Sequence, residues 1–223
     1  MTTAATTKAK TKDTAAAPAE APREFLVKPP QVVRLQVRIV GISPYISHAW
    51  DEKQKRAIRE KHAGKLTKDR DPRDPQSEGE RAAYRTADGK YGIPALAIKS
   101  AILQAAHKDL GIPRTLVSKA VFIHCDDPDK ILPLRLEAEP QIQEDVVRLS
   151  NTSTDLRYRP YYYQWAVDLT FDMDVELLQV NDLLNLISRA GFGVGVGEWR
   201  PEKGGEYGRF EIDRTVEVKV REL

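Results

Sequence analysis

Residues 32–40, VVRLQVRIV, alternate strictly between apolar and polar. Val33, Leu35, Val37 and Ile39 fall on one side, and Arg34, Gln36 and Arg38 on the other. Successive side chains of a strand point to opposite faces, so this segment requires a sheet with one buried face and one basic, wet face. Gly41 and Pro44 end it. A second run, 161–173, repeats the pattern. Trp165, Val167, Leu169 and Phe171 face inward, and Gln164, Asp168, Thr170 and Asp172 face out.

Two segments have helical spacing. Residues 93–108 carry Ile98, Ile102, Ala105 and Ala106 as an apolar stripe, with Pro94 suited to the first turn and Gly111 beyond the end. Residues 179–190 place Val180, Leu183, Leu184 and Ile187 at i, i+3, i+4, i+7. Short strand-like runs at 119–124 and 131–136 flank a turn at Asp126–Pro128–Asp129, and 206–221 reads as a final strand or hairpin. The order is strand, long insertion, helix, strands, strand, helix, strand. That predicts an α+β fold of the ferredoxin-like β-α-β-β-α-β kind: an antiparallel sheet with two helices on one face and the other face open. The Arg34, Gln36, Arg38 row is expected on that open face, a common platform for single-stranded RNA.

Composition sets limits. The chain has 223 residues, 41% of them hydrophobic, which suits one domain with a real core. Residues 1–23 lack aromatics and periodicity and read as a disordered tail, leaving a single domain over 24–223. Its insertion, at about 45–92, is charged: residues 51–90 hold twelve Lys or Arg against nine Asp or Glu. Asp51–His62 reads as a charged helix and 64–80 as a loop. The net charge of +2 excludes binding a polyanion through the overall field, so any such site must be a local patch. The lone Cys125 excludes a disulfide framework and suits a cytoplasmic protein, and no stretch is apolar enough for a membrane span.

Two local patches qualify. In 189–210, RAGFGVGVGEWRPEKGGEYGRF, seven glycines follow the second helix, and Arg200, Lys203 and Arg209 interleave with Trp199, Tyr207 and Phe210. Bases, aromatics and accessible backbone N–H groups together can hold a phosphodiester chain with stacked bases. In 148–163, RLSNTSTDLRYRPYYY, Arg148, Arg157 and Arg159 alternate with tyrosines including Tyr161, in a thumb-like hairpin. Catalytic patterns are poor: His48, with Asp51 three residues on, is the candidate general base for RNA cleavage. No metal or cofactor motif is present.

Several of these segments resemble the RAMP superfamily, the RNA-binding proteins of CRISPR effector complexes. GIPALAIKSAILQAA resembles the family's helix start at Ile93, Pro94, Ile98, Lys99, Ala101 and Ile102, and departs from it at Ala95, Leu96, Ala97 and Ser100. Tyr207, Gly208 and Arg209 match its C-terminal Gly-rich loop, and GISPYISHAW sits where members leave their first strand. The resemblance covers about residues 32–212 and is nearest to the backbone subunits. It implies a modified ferredoxin-like palm, an insertion after the first strand, a thumb-like hairpin and head-to-tail assembly along RNA, with other effector subunits as partners. A stand-alone or phage-encoded relative fits the length. Asp51 lies where cleaving members place an acidic residue.

The expected function is therefore binding of single-stranded RNA, or ssDNA, by an oligomer, with no cofactor and no membrane. Phosphate contacts are expected from Lys99, Arg157, Arg159, Arg200, Lys203 and Arg209, and stacking from Tyr161, Tyr207 or Trp199. Two rivals are a structural or assembly protein using the same fold, and a metal-independent endoribonuclease using His48.

Overall fold

The computed structural model describes residues 28–50, 56, 59, 60, 62–64, 73–150 and 153–223. The 1–23 tail, Asp51 and most of the expected charged helix lie outside them; within that helix, the described Arg56 and Glu60 are paired at 2.9 Å. The fold is α+β with antiparallel sheets.

Strand β1 (Val32–Gly41) is the spine. β2 (Tyr45–Ile46) follows, then helix α1 (Pro75–Arg81), β3 (Gly92–Pro94) and α2 (Ala95–Gln104). Next come α3 (Arg114–Ala120), β4 (Val121–Ile123), β5 (Ile131–Pro133) and β6 (Arg135–Leu136). β7 (Gln141–Ser150) and β8 (Ser153–Tyr162) form a hairpin; β9 (Trp165–Asp174), α4 (Val180–Arg189), β10 (Phe210–Ile212) and β11 (Lys219–Glu222) complete the order. In the main sheet β10 and β11 lie on one side of β1, and β9 on the other, with β4 and β6 beyond β9. β2, β8 and β7 form a second sheet.

The alternation of β1 and β9 sets the core. Val33, Leu35, Val37 and Ile39 meet Trp165, Val167, Leu169 and Phe171, all buried, and Ile98 and Ile102 of α2 with Leu183, Leu186 and Ile187 of α4 complete the same cluster. Each such side chain, fully buried, contributes about 1.5–3 kcal/mol. Gly41 ends β1 because Trp165 lies across it: a Cβ there would sit 2.1 Å from the indole nitrogen, which donates to Ser43 O at 2.9 Å.

Several expected boundaries move. The 93–108 helix starts at Ala95, because Ile93 and Pro94 extend into β3 against Leu132 and Ile131, so Pro94 precedes the first turn; a wider π-helical turn over Ala105–Asp109 replaces its last turn. The 161–173 strand is two strands with a break at Tyr163–Gln164, where the chain leaves the hairpin for the main sheet. The 206–221 segment does not pair with itself: β10 and β11 both pair with β1. The 64–80 loop contains α1, and α3 occupies the start of the 119–124 strand. The thumb-like hairpin runs from 141 to 162 rather than 148 to 160. Among the described residues no helix is long and apolar enough to cross a membrane.

Candidate functional site

The two sequence patches meet at one junction. β2 pairs with β8, Tyr45 opposite Tyr162 and Ile46 opposite Tyr161, and Ser47 N–H donates to Pro160 O at 3.4 Å. Continuing that register sets His48 opposite Arg159. Arg159 is 1% exposed. Its guanidinium lies 3.4 Å from Asp145 Oδ2, 3.9 Å from Glu198 Oε2 and 5.5 Å from the centre of the Trp199 ring. Tyr161 donates to Asp145 Oδ1 at 2.7 Å, and its ring meets the edge of Tyr207 at 5.8 Å. Tyr207 in turn lies 6.0 Å from Trp199. Burial, then the Asp145 bond, pushes the Tyr161 hydroxyl far above the ordinary phenol value, so it stays a donor.

Six sequence candidates thus come together: His48, Arg157, Arg159, Tyr161, Trp199 and Tyr207. Asp145 and Glu198 were not anticipated. Asp145 faces Arg157 in the β7–β8 register, a pairing visible only once the hairpin is traced back to 141. Arg159 and Tyr161 are too buried to meet a ligand, against the expectation for both. They brace the Gly-rich loop instead.

That loop is held by its own backbone. Val196 N–H donates to Gly208 O, Glu198 N–H to Ile46 O, Tyr207 N–H to Trp199 O and Gly208 N–H to Pro44 O. The expected cradle of accessible amides is therefore largely spent on the protein. The glycines permit close packing: a Cβ at Gly208 would lie 1.7 Å from Val196 O, and one at Gly197, where φ is +79°, would lie 2.4 Å from Ile46 O. Trp199 has a φ of 47°, left-handed backbone that a bulky residue adopts only when its surroundings force it. The fold holds this half-buried indole at the loop's turn despite that strain.

On the loop's other side, a groove of about 440 Å³ separates it from α2, with Leu96, Ser100, Gln104, Arg114 and Arg200 on its walls. Arg200 is pinned to Glu202 Oε2 and Gly197 O, each at 3.0 Å. Burial would raise the Glu202 carboxyl, but bonds from Gln104 and Arg200 outweigh it and hold the group below its ordinary value. Lys203 is exposed, and the Arg209 guanidinium lies 5.2 Å over the exposed Phe192 ring.

Other candidates lie elsewhere. Arg34 makes two bonds to Asp172, at 2.6 and 2.8 Å, and Arg38 and Arg135 share Asp168, each at 2.6 Å. These arginines do line the open face of the main sheet, but the expected basic row is neutralised by the aspartates of β9. The Arg34 bond holds Asp172 below the usual carboxylate range. Lys99 donates to Ser118 O at 3.2 Å, with its ammonium 4.7 Å from the Phe122 ring, away from the junction. Arg148 lies in β7 opposite Thr154.

The described groups beside the His48 ring are arginines. Burial first, then Arg159 and Arg157, lowers its pKa, so the ring is neutral at pH 7. Arg157 Nη1 lies 3.4 Å from Nε2, while Nδ1 is buried with no hydrogen-bond partner among the described residues. Among the described residues no carboxylate is bonded to the ring to orient it as a general base needs; Asp51, the expected partner, lies outside them. Asp127 accepts from the N–H groups of Ala87, Asp129 and Ile131, which assigns it to the turn.

A scan against protein-family models gives no match, and a search of curated proteins gives none either.

Proposed function

We propose that this chain binds single-stranded nucleic acid, RNA in the first instance, over the junction of the hairpin and the Gly-rich loop. The observation that carries the reading is Trp199. A half-buried indole is held in left-handed backbone, beside Tyr207 and over Arg159, at the turn of a loop that also carries Arg200, Lys203 and Arg209. Trp199 and Tyr207 offer faces to bases. Arg157 stands at the junction for phosphates, and the same loop carries Lys203 and Arg209, with Arg200 on its groove side. Base stacking on aromatics tolerates any sequence, because every base has a π-face.

The sheet order of β10 and β11, β1, β9 and β4, all antiparallel with α2 and α4 contributing to one core, supports a ferredoxin-like palm and with it the RAMP-like relation. On that reading copies line up head-to-tail along the strand, in the cytoplasm, alone or with effector subunits. Among the described residues His48 has arginine neighbours and no bonded carboxylate, which supports binding over cleavage.

The test is fluorescence anisotropy with labelled RNA and DNA oligomers of about twenty nucleotides, spanning more than one aromatic site. Binding should weaken steeply with salt, and Trp199→Ala and Lys203→Ala should each weaken it. No binding at low salt, or full binding by Trp199→Ala, overturns the reading.

A further inference from the structure

β7 is the outer strand of its sheet: the order is β2, β8, β7, and among the described residues nothing pairs with its far edge. It is ten residues long, QIQEDVVRLS, without Pro or Lys; its charges are Glu144, the buried Asp145 and Arg148, and its register shifts between Arg148 and Ser150. Among the described residues, helix packing on one face of the hairpin is confined to one end. α1 packs there so closely that a Cβ on Gly79 would lie 2.4 Å from the Ile142 side chain. Further along the same face Val146 is 65% exposed, and its cross-strand partner Leu156 is 39% exposed.

The sequence of β7 is complementary to itself in one register. We propose that two copies of the chain join β7 to β7, antiparallel, about a two-fold axis through Val146. That register sets Val146 against Val146 of the second copy and Glu144 against its Arg148, twice by symmetry. Shifting the axis to Asp145 sets two aspartates face to face, and shifting it to Val147 aligns no opposite charges. Opposite charges directly across a strand pair stabilise it and like charges oppose it. Glu144 already accepts from Tyr158 at 2.8 Å, which fixes its carboxylate on the face where the pairing needs it. The result is one continuous sheet of six strands, with Val146 and Leu156 of both copies forming an apolar patch at its centre. The contact is closed and two-fold. It does not depend on the nucleic-acid reading and is tested without any oligonucleotide.

The experiment is light scattering and sedimentation of the nuclease-treated full chain. The expected mass is twice 25.1 kDa. Val146→Lys places two cations on the axis and should give a monomer with an unchanged circular dichroism spectrum. Glu144→Arg should weaken the dimer, and adding Arg148→Glu should restore it. Val146→Cys should give a covalent dimer under mild oxidation, because the paired positions are within disulfide reach and the native Cys125 is buried. Val147→Cys should not cross-link. A wild-type monomer at high concentration overturns the proposal. So does a dimer indifferent to Val146→Lys, or cross-linking at 147 in place of 146.

Discussion

Two rows of arginine on alternating strands look alike on paper and differ in the folded chain. On β1, Arg34 and Arg38 face Asp172 and Asp168 of the adjacent strand, and each is spent in an ion pair, half-buried for Arg34 and more exposed for Arg38. On β8, Arg157 and Arg159 share a face, and Arg159 meets the Gly-rich loop. Arg159 is buried between Asp145, Glu198 and the Trp199 ring, and Arg157 stands beside His48. The first row decorates a sheet; the second fastens a loop. The difference lies in what the neighbouring segment supplies. β9 offers a carboxylate at each arginine's cross-strand position, whereas the loop offers an aromatic face and an acid that must serve a buried charge.

The sharpest break in this comparison is Arg159→Ala. It leaves Asp145 buried without its cation and removes the brace under Trp199. Losing one partner of a buried pair costs roughly 3–5 kcal/mol. Denaturant unfolding should show it, and nucleic-acid binding should fall with it. Trp199→Ala tests the loop itself: stability should change less, while affinity for a single strand falls by the roughly 1–3 kcal/mol that stacking of one base contributes. Retained affinity would reduce the loop to a structural turn.

Acid gives a smaller, graded effect. The pKa of His48 is lowered in the folded state, so the unfolded chain binds the extra proton first. Stability from this group is complete above about pH 6.5 and declines as pH falls through that value toward the lower folded pKa. His48→Gln should flatten the melting temperature in that window. The losses from Asp168 and Asp172, whose folded pKa values are also lowered, should appear only at more acid pH, below the ordinary carboxylate range. The smallest effect belongs to Arg38→Gln on the open sheet face, where Arg135 still pairs with Asp168; it should leave oligonucleotide affinity unchanged and the melting temperature nearly so. A large loss of binding there would restore the open face as the interface.

Strands and helices with full periodicity were legible in the sequence. β1 and β9 carry their inward residues as the alternation requires; in α4 Leu183 and Ile187 are buried as the spacing requires, Val180 and Leu184 only partly, and Leu186 joins them. What was not legible depended on partners distant in the chain. Ile93 and Pro94 look like a helix start until Leu132 and Ile131 claim them for a sheet. The glycines of 191–208 look like a ligand cradle, but Gly191, Gly205 and Gly208 are small because Phe210 O, Trp199 O and Val196 O crowd them. The meeting of the two aromatic and basic patches at one junction was not predicted either, since it follows from β2 pairing with β8.

The position of β1 also dictates an order of events during synthesis. Its immediate partners are β9, which begins at Trp165, and β10 and β11, later still. At about 5–20 residues per second, β1 waits roughly 6–25 s before its first long partner is made. Through that interval an apolar row of Val33, Leu35, Val37 and Ile39 has no sheet to join. Long-range pairing of this kind folds slowly and leaves such a strand open to aggregation, and Arg34 and Arg38 are the charges it carries until β9 arrives. The aspartates that later neutralise those arginines are on β9 itself, so the protective charge is withdrawn at the moment the strand is paired.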